Sequence, residues 1–139
     1  MKKQLVADVM THEVQTVLPN DQLAVAEDVM RLARFRHMPV VDEDGELVGI
    51  VSARDLFHNA LLKALGFGIH AKQKAMESLR VKEAMTSPVV TTTPKTRLTD
   101  AAKLMRDKKL GCLVVVEGQK LVGILTEGDF VALAASTEA

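Results

Sequence analysis

Displaced by 75 residues, the chain aligns with itself: Val6 falls on Val81, Met10 on Met85, Thr11 on Thr86, Val14 on Val89, Thr16 on Thr91 and Pro19 on Pro94. The matches continue at Leu23/Leu98, Ala26/Ala101, Met30/Met105, Arg31/Arg106, Val40/Val115 and Val41/Val116. A one-residue deletion near Gly118 then moves the offset to 74, aligning Leu47/Leu121, Val48/Val122, Gly49/Gly123, Ile50/Ile124 and Asp55/Asp129. The deletion falls between two strand-like runs, where a hairpin loop tolerates it. A tandem unit of about 55 residues has too little volume to close its own core, since a lone core below about 70 to 80 residues is marginal. The copies are therefore expected to pack as one pseudo-twofold module.

Each copy carries the same succession of patterns. Val14 to Leu18 is a short β-rich run ended by Pro19-Asn20-Asp21, with Asn20 or Asp21 placed to cap the following helix, as Thr96 is in the second copy. Leu23, Ala26, Met30 and Ala33 recur at helical spacing, as do Leu98, Ala101 and Met105, leaving Glu27, Arg31 and Arg34 for solvent. Met38 to Val41, the turn Asp42-Glu43-Asp44-Gly45 and Leu47 to Val51 read as a hairpin. A helix after Ser52 carries Leu56, Phe57, Ala60, Leu61, Ala64 and Leu65 on a wide apolar face that wants a partner. The fold class expected is α/β, two tandem β-α-β-β-α units at residues 6–65 and 81–135, joined by a partly helical linker at 66–80 in which Gly66 and Gly68 break the helix. Residues 133–139 are expected to fray.

Composition narrows the function. With 18 basic and 18 acidic residues there is no charge excess to hold nucleic acid or an anionic membrane, and without Tyr or Trp there is no stacking platform for single strands. The single cysteine, Cys112, forms no internal disulfide, and with four scattered histidines it gives no clustered metal-ligand pattern, so no metal site is expected. Neither a signal-peptide pattern nor an 18-residue apolar span occurs, which points to the cytoplasm and away from a membrane.

The chemistry concentrates in Gly49-x-x-Ser52-x-x-Asp55 and Gly123-x-x-Thr126-x-x-Asp129, each an apolar strand that turns into a helix at the hydroxyl. Taken alone, the hydroxyl and acid are a helix cap: the one accepts a first-turn N–H, the other sits at the positive helix end. Three features add a ligand reading. A glycine inside a strand marks a close approach by backbone or ligand. A helix N-terminus has free N–H groups for a phosphate. An acid one turn in has an acceptor pair suited to vicinal ribose hydroxyls.

These residues carry a resemblance. The duplicated unit resembles a tandem pair of cystathionine-β-synthase-type (CBS) domains, a Bateman module, over nearly the whole chain. It does so through Val-x-x-x-Met-Thr at 6–11 and 81–86, Thr16-x-x-Pro19 and Thr91-x-x-Pro94, Arg36-His37-Met38-Pro39-Val40-Val41, and the two Gly-x-x-Ser/Thr-x-x-Asp motifs. The resemblance implies two clefts between the units that bind adenosine-type ligands: AMP, ADP, ATP, S-adenosylmethionine or NAD-like molecules. Carried over, Ser52 and Asp55 serve one cleft and Thr126 and Asp129 the other. Met38, Pro39 and Val40, or Leu113, Val114 and Val115, line the base, with Thr16 or Thr91 at its edge.

The copies differ in charge. Arg54 and His37 can hold a phosphate in the first, where the second has Gly128 and Cys112, and Val114 stands for Pro39. The Arg54 cleft is expected to bind an anionic nucleotide, and the other to be weaker, empty or suited to a less charged adenosyl ligand. His37 has no nucleophile partner for catalysis, and Cys112 reads as a small core residue, so no reaction and no catalytic residue is expected. The function expected is metabolite sensing by a homodimer acting on a protein partner that the sequence does not identify, with the apolar excess on Leu56 to Leu65 and Phe130 to Ala134 as the motive for pairing. The alternative is a structural dimerisation module with vestigial clefts.

Overall fold

A computed structural model describes residues 4–56, 58 and 71–136. In chain order its elements are α1 (Val6–Val9), α2 (Leu23–Ala33), β1 (His37–Val41), β2 (Leu47–Ser52), α3 (Ala71–Ser78), α4 (Val81–Ala84), β3 (Thr91–Thr92), α5 (Leu98–Lys108), β4 (Cys112–Glu117), β5 (Lys120–Thr126) and α6 (Glu127–Ser136). Residues 53–56 after β2 are also helical. The chain groups into two compact units, Gln15–Val89 on the one hand and Met1–Val14 with Val90–Ala139 on the other.

In the Gln15–Val89 unit, β1 and β2 form an antiparallel hairpin with a register shift between Val40 and Val41. Its turn is closed by Asp42, whose Oδ1 accepts the N–H groups of Asp44 and Glu46, both at 2.9 Å, while Gly45 takes a φ of +78° that L side chains avoid. The run expected as a strand from Val14 to Leu18 narrows to one parallel bridge, Val17 to Val40. Leu23, Ala26 and Met30 of α2 pack on Met38, Val40, Val51, Leu56, Met76 and Leu79, which form one buried cluster. Ala33, expected on that stripe, is exposed, because the helix ends beside it: Arg34 turns left-handed at φ +61° and the Phe35 N–H reaches back to the Met30 carbonyl at 3.0 Å. Phe57, Ala60, Leu61, Ala64 and Leu65 of the expected apolar face, and Gly66 and Gly68 of the linker, lie outside the described residues.

The other unit repeats this plan with a three-stranded sheet, β3 parallel to β4 and β4 antiparallel to β5. Between paired Val41 and Leu47 lie residues 42–46, and between paired Val116 and Leu121 lie 117–120, so the deletion sits in the hairpin loop. Leu98, Ala101 and Met105 of α5 pack with Leu113, Val115 and Leu125 in a second buried cluster. α6 continues through residues 133–136, where fraying was expected, and the Ser136 hydroxyl donates to the Leu133 carbonyl at 2.9 Å.

Each sheet is completed by the opening segment of the other repeat. Val6 of α1 is buried with Leu98 and Leu125, although it belongs to the first copy, and Val81 of α4 is buried with Leu23 and Val51. Main-chain bonds fix the exchange: Val6 and Ala7 donate to Thr96 and Pro94 at 2.9 and 3.0 Å, while Val81 and Lys82 donate to Asp21 and Pro19 at 2.8 and 2.9 Å. These segments also replace the expected caps. The residues before α2 and α5 are Gln22 and Arg97, neither with a side-chain cap; instead the first-turn N–H groups of Leu23 and Leu98 donate to the carbonyls of Leu79 and Gln4 at 3.0 and 2.8 Å. Asp21 serves the preceding turn, accepting the Leu18 N–H at 2.9 Å, and Thr96 shares a 2.8 Å hydrogen bond with the Thr93 hydroxyl.

Candidate functional site

In both units a sheet edge, a strand-to-helix corner and a docked Met-Thr dipeptide meet. In the first, β2 enters its helical turn as the Ala53 N–H donates to the Arg36 carbonyl at 2.8 Å. The Ser52 Oγ accepts the Asp55 N–H at 3.0 Å, and Asp55 Oδ2 accepts the Ser52 N–H at a longer 3.4 Å. The capping reading of this motif is thus realised, and both groups remain half-buried rather than sealed in. Arg54, between them in sequence, is exposed. Register places His37 directly across the hairpin from Ser52, so histidine, hydroxyl and acid share one corner.

The second corner follows the same plan. The Glu127 N–H donates to the Gly111 carbonyl at 3.3 Å, and the Thr126 hydroxyl accepts the Asp129 N–H at 3.3 Å. Asp129 Oδ2 accepts both the Thr126 N–H at 2.8 Å and its hydroxyl at 3.2 Å, while Oδ1 accepts the hydroxyl of Thr11 at 2.9 Å. Cys112 stands opposite Thr126 where the first corner has His37. Its thiol is buried, and desolvation pushes its pKa up from 9.0 to about 11, so it stays a neutral thiol at physiological pH.

The strand glycines have an occupant other than a ligand. A Cβ on Gly49 would stand 2.5 Å from Met85 Sδ, and one on Gly123 would stand 2.7 Å from Met10 Sδ and 3.0 Å from the Thr11 carbonyl oxygen. The close approach that a strand glycine signals is made by the exchanged Met-Thr segments. Thr11 pairs with Ile124 through main-chain bonds of 2.8 and 3.0 Å, and Thr86 pairs with Ile50 through 2.8 and 3.1 Å.

Strand alternation sorts the expected base-lining residues. Met38, Val40, Leu113 and Val115 point their side chains into the helix-packed cores and are fully buried, main chain included. Pro39 and Val114 fall on the opposite sheet face, both fully buried. Register sets Pro39 beside Ile50 and then Thr86 in a row of one unit, and Thr91 beside Val114, Ile124 and Thr11 in a row of the other. Thr16 is exposed, one residue before the Val17 bridge to Val40. Ile50, Ile124, Thr11 and Thr86 were missed by the motif reading; their signal was present as repeat identities without an assigned role. Glu127 was missed too. Where the first corner has Ala53-Arg54, the second has Glu127-Gly128, so the second loses a cation and gains an anion. Gly128 has ample room, with only Thr126 Oγ1 at 3.5 Å from an added Cβ.

Two grooves among the described residues lie on the helical side of the units. One of about 340 Å³ is lined by Met30, Phe35, Leu56 and Met76 among others, and its repeat counterpart of about 460 Å³ by Met105, Leu110, Glu127 and Phe130. Neither is built from the sheet-face row. No group of three or more metal-ligating side chains occurs among the described residues, and no described helix is long and apolar enough to cross a membrane.

Comparison with known proteins follows the duplication. The family model described as CBS domain matches twice, at residues 6–61 and 81–136. A homoserine O-acetyltransferase of Methanococcoides burtonii is 34% identical over 125 residues, 89% of this chain, but the chain spans only 23% of that protein's length. Among solved structures, CBSX2 in complex with AMP superposes with a TM-score of 0.79 at 28% identity, covering 95% of this chain and 96% of that one. The CBS domain pair of protein MJ0100, in complex with 5′-methylthioadenosine and S-adenosyl-L-methionine, does so at 0.80 and 26%, covering 98% and 99%. With two tandem matches to one family model and solved CBS pairs of the same α/β fold, the chain belongs to the CBS domain family.

Proposed function

We propose that this protein is a cytoplasmic regulatory module that senses an adenosine-type ligand, AMP, ADP, ATP or S-adenosylmethionine, and carries out no reaction of its own. The observation that carries the reading is the repeated corner: a hydroxyl and an acid on a helix start, next to a sheet-face row, in a chain similar to CBS pairs that hold AMP or S-adenosylmethionine. Helix-start N–H groups and Ser52 or Thr126 would meet phosphate or ribose, and Asp55 or Asp129 the ribose hydroxyls. The base would be lined by Met38, Pro39 and Val40 or by Leu113, Val114 and Val115, all fully buried until a ligand uncovers them, with Thr16 or Thr91 at its edge. Arg54 and His37 would favour an anionic ligand at the first corner. Glu127 and the missing arginine would favour a neutral or cationic adenosyl group at the second. A ligand that prefers one arrangement of the repeats shifts their equilibrium, and an unidentified protein partner reads that shift.

Titration calorimetry with AMP and with 5′-methylthioadenosine tests this. Arg54→Ala is expected to weaken AMP about tenfold, the scale of one charge-assisted hydrogen bond, and to leave 5′-methylthioadenosine unchanged. Equal loss for both, or no binding of either, contradicts the proposal.

A second reading, a structural dimerisation module with vestigial clefts, is favoured by α6: this apolar helix has no fully buried residue, and Val131 is 68% exposed. A homodimer fits both readings. Sedimentation of wild type against Val131→Glu is expected to show a dimer weakened by the substitution.

A further inference from the structure

At the second corner the acid is already in use. Asp129 Oδ2 accepts two hydrogen bonds from Thr126, and Oδ1 accepts one from the hydroxyl of Thr11, 118 residues away in sequence. A carboxylate accepts ribose hydroxyls only at the oxygen positions that its resident donors leave open or give up. The Oδ2 partners cannot leave cheaply: the Thr126 N–H belongs to the strand-to-helix corner, and the Thr126 hydroxyl is held beside it by accepting the Asp129 N–H. The Thr11 hydroxyl is held by a single side-chain torsion, and its backbone stays anchored to Ile124 through both main-chain bonds when that torsion turns. It is the displaceable partner.

We propose that Thr11 is a specificity-determining residue of the Asp129 corner: its hydroxyl occupies the place on Oδ1 that a ribose hydroxyl takes, so a ribosyl ligand enters by displacing it. This rests on the adenosyl reading and sharpens it. Thr11 acts as a resident competitor, and a ligand that cannot replace its hydrogen bond gains nothing from Asp129.

The test uses the full chain carrying Asp55→Asn, which silences the first corner, with adenosine and 2′,3′-dideoxyadenosine as probes. Thr11→Ala is expected to tighten adenosine about tenfold, Thr11→Ser to leave it unchanged, and neither to alter dideoxyadenosine. In the Thr11-bearing protein, the ¹³C-methyl signal of Thr11 is expected to shift with adenosine and not with dideoxyadenosine, a readout that does not depend on the alanine variant folding. Unchanged or weaker adenosine binding in Thr11→Ala, or a Thr11 signal that stays put at adenosine saturation, overturns the competitor role. Absence of adenosine binding in every protein overturns the adenosyl reading of this corner and the inference with it.

Discussion

A methyl group at Gly123 would collide with Met10 Sδ at 2.7 Å and with the Thr11 carbonyl oxygen at 3.0 Å, and one at Gly49 with Met85 Sδ at 2.5 Å. Both strands would have to shed a well-packed methionine, so Gly49→Ala and Gly123→Ala are each expected to destabilise by about 1–3 kcal/mol in chemical denaturation. Gly128→Ala, with only Thr126 Oγ1 near at 3.5 Å and a helical position, is expected to be neutral or to stabilise by up to about 1 kcal/mol. Equal costs at Gly123 and Gly128 contradict the packing account. Sequence alone exposed the two strand glycines as places of close approach; it did not reveal the approaching group, because Met10 and Met85 come from the opening of the other repeat. Cys112 behaves as its strand position suggested. Its raised pKa means that the folded state holds the proton more tightly than the unfolded one. Its contribution to stability is complete below pH 9 and is lost as pH rises through the 9 to 11 window. A thiol reagent at pH 8 is expected to label Cys112 only when the protein unfolds.

At the level of elements, the hairpins, the two long helices and the loop that absorbs the deletion were all legible from periodicity and self-alignment. The exchange of α1 and α4 was not. A tandem repeat reads the same whether each opening segment folds on its own copy or on the other, and only the main-chain partners of Val6 and Val81 separate the two. The misplaced caps share this cause: Gln4 and Leu79 take the N–H groups of Leu98 and Leu23, and Asp21 and Thr96 serve the preceding turns instead. Val6→Ala and Val81→Ala are each expected to cost about 2 kcal/mol. In hydrogen exchange, Val6→Ala is expected to loosen β4 and β5 while β1 and β2 keep their protection, and Val81→Ala to do the reverse. Loosening confined to a substituted residue's own repeat contradicts the exchange.

For the molecule as a whole, duplication made two corners and substitution made them unequal. Ser52, Asp55, Thr126 and Asp129 were legible as a repeated motif, but the difference between the corners also involves Thr11, which the Val-x-x-x-Met-Thr motif names without a role, and Glu127 and the room beside Gly128, which no motif names. Because Gly128 is open, Gly128→Arg can restore the missing cation; it is expected to raise AMP affinity several-fold, by an amount that shrinks with added salt. The central claim is that this CBS pair holds an adenosyl ligand. A thermal unfolding series with AMP, ADP, ATP, 5′-methylthioadenosine and S-adenosylmethionine tests it most directly. At least one ligand, at 100 times its dissociation constant, is expected to stabilise the protein by about 2.7 kcal/mol. A flat response to all of them contradicts the claim and leaves the structural dimerisation reading in its place.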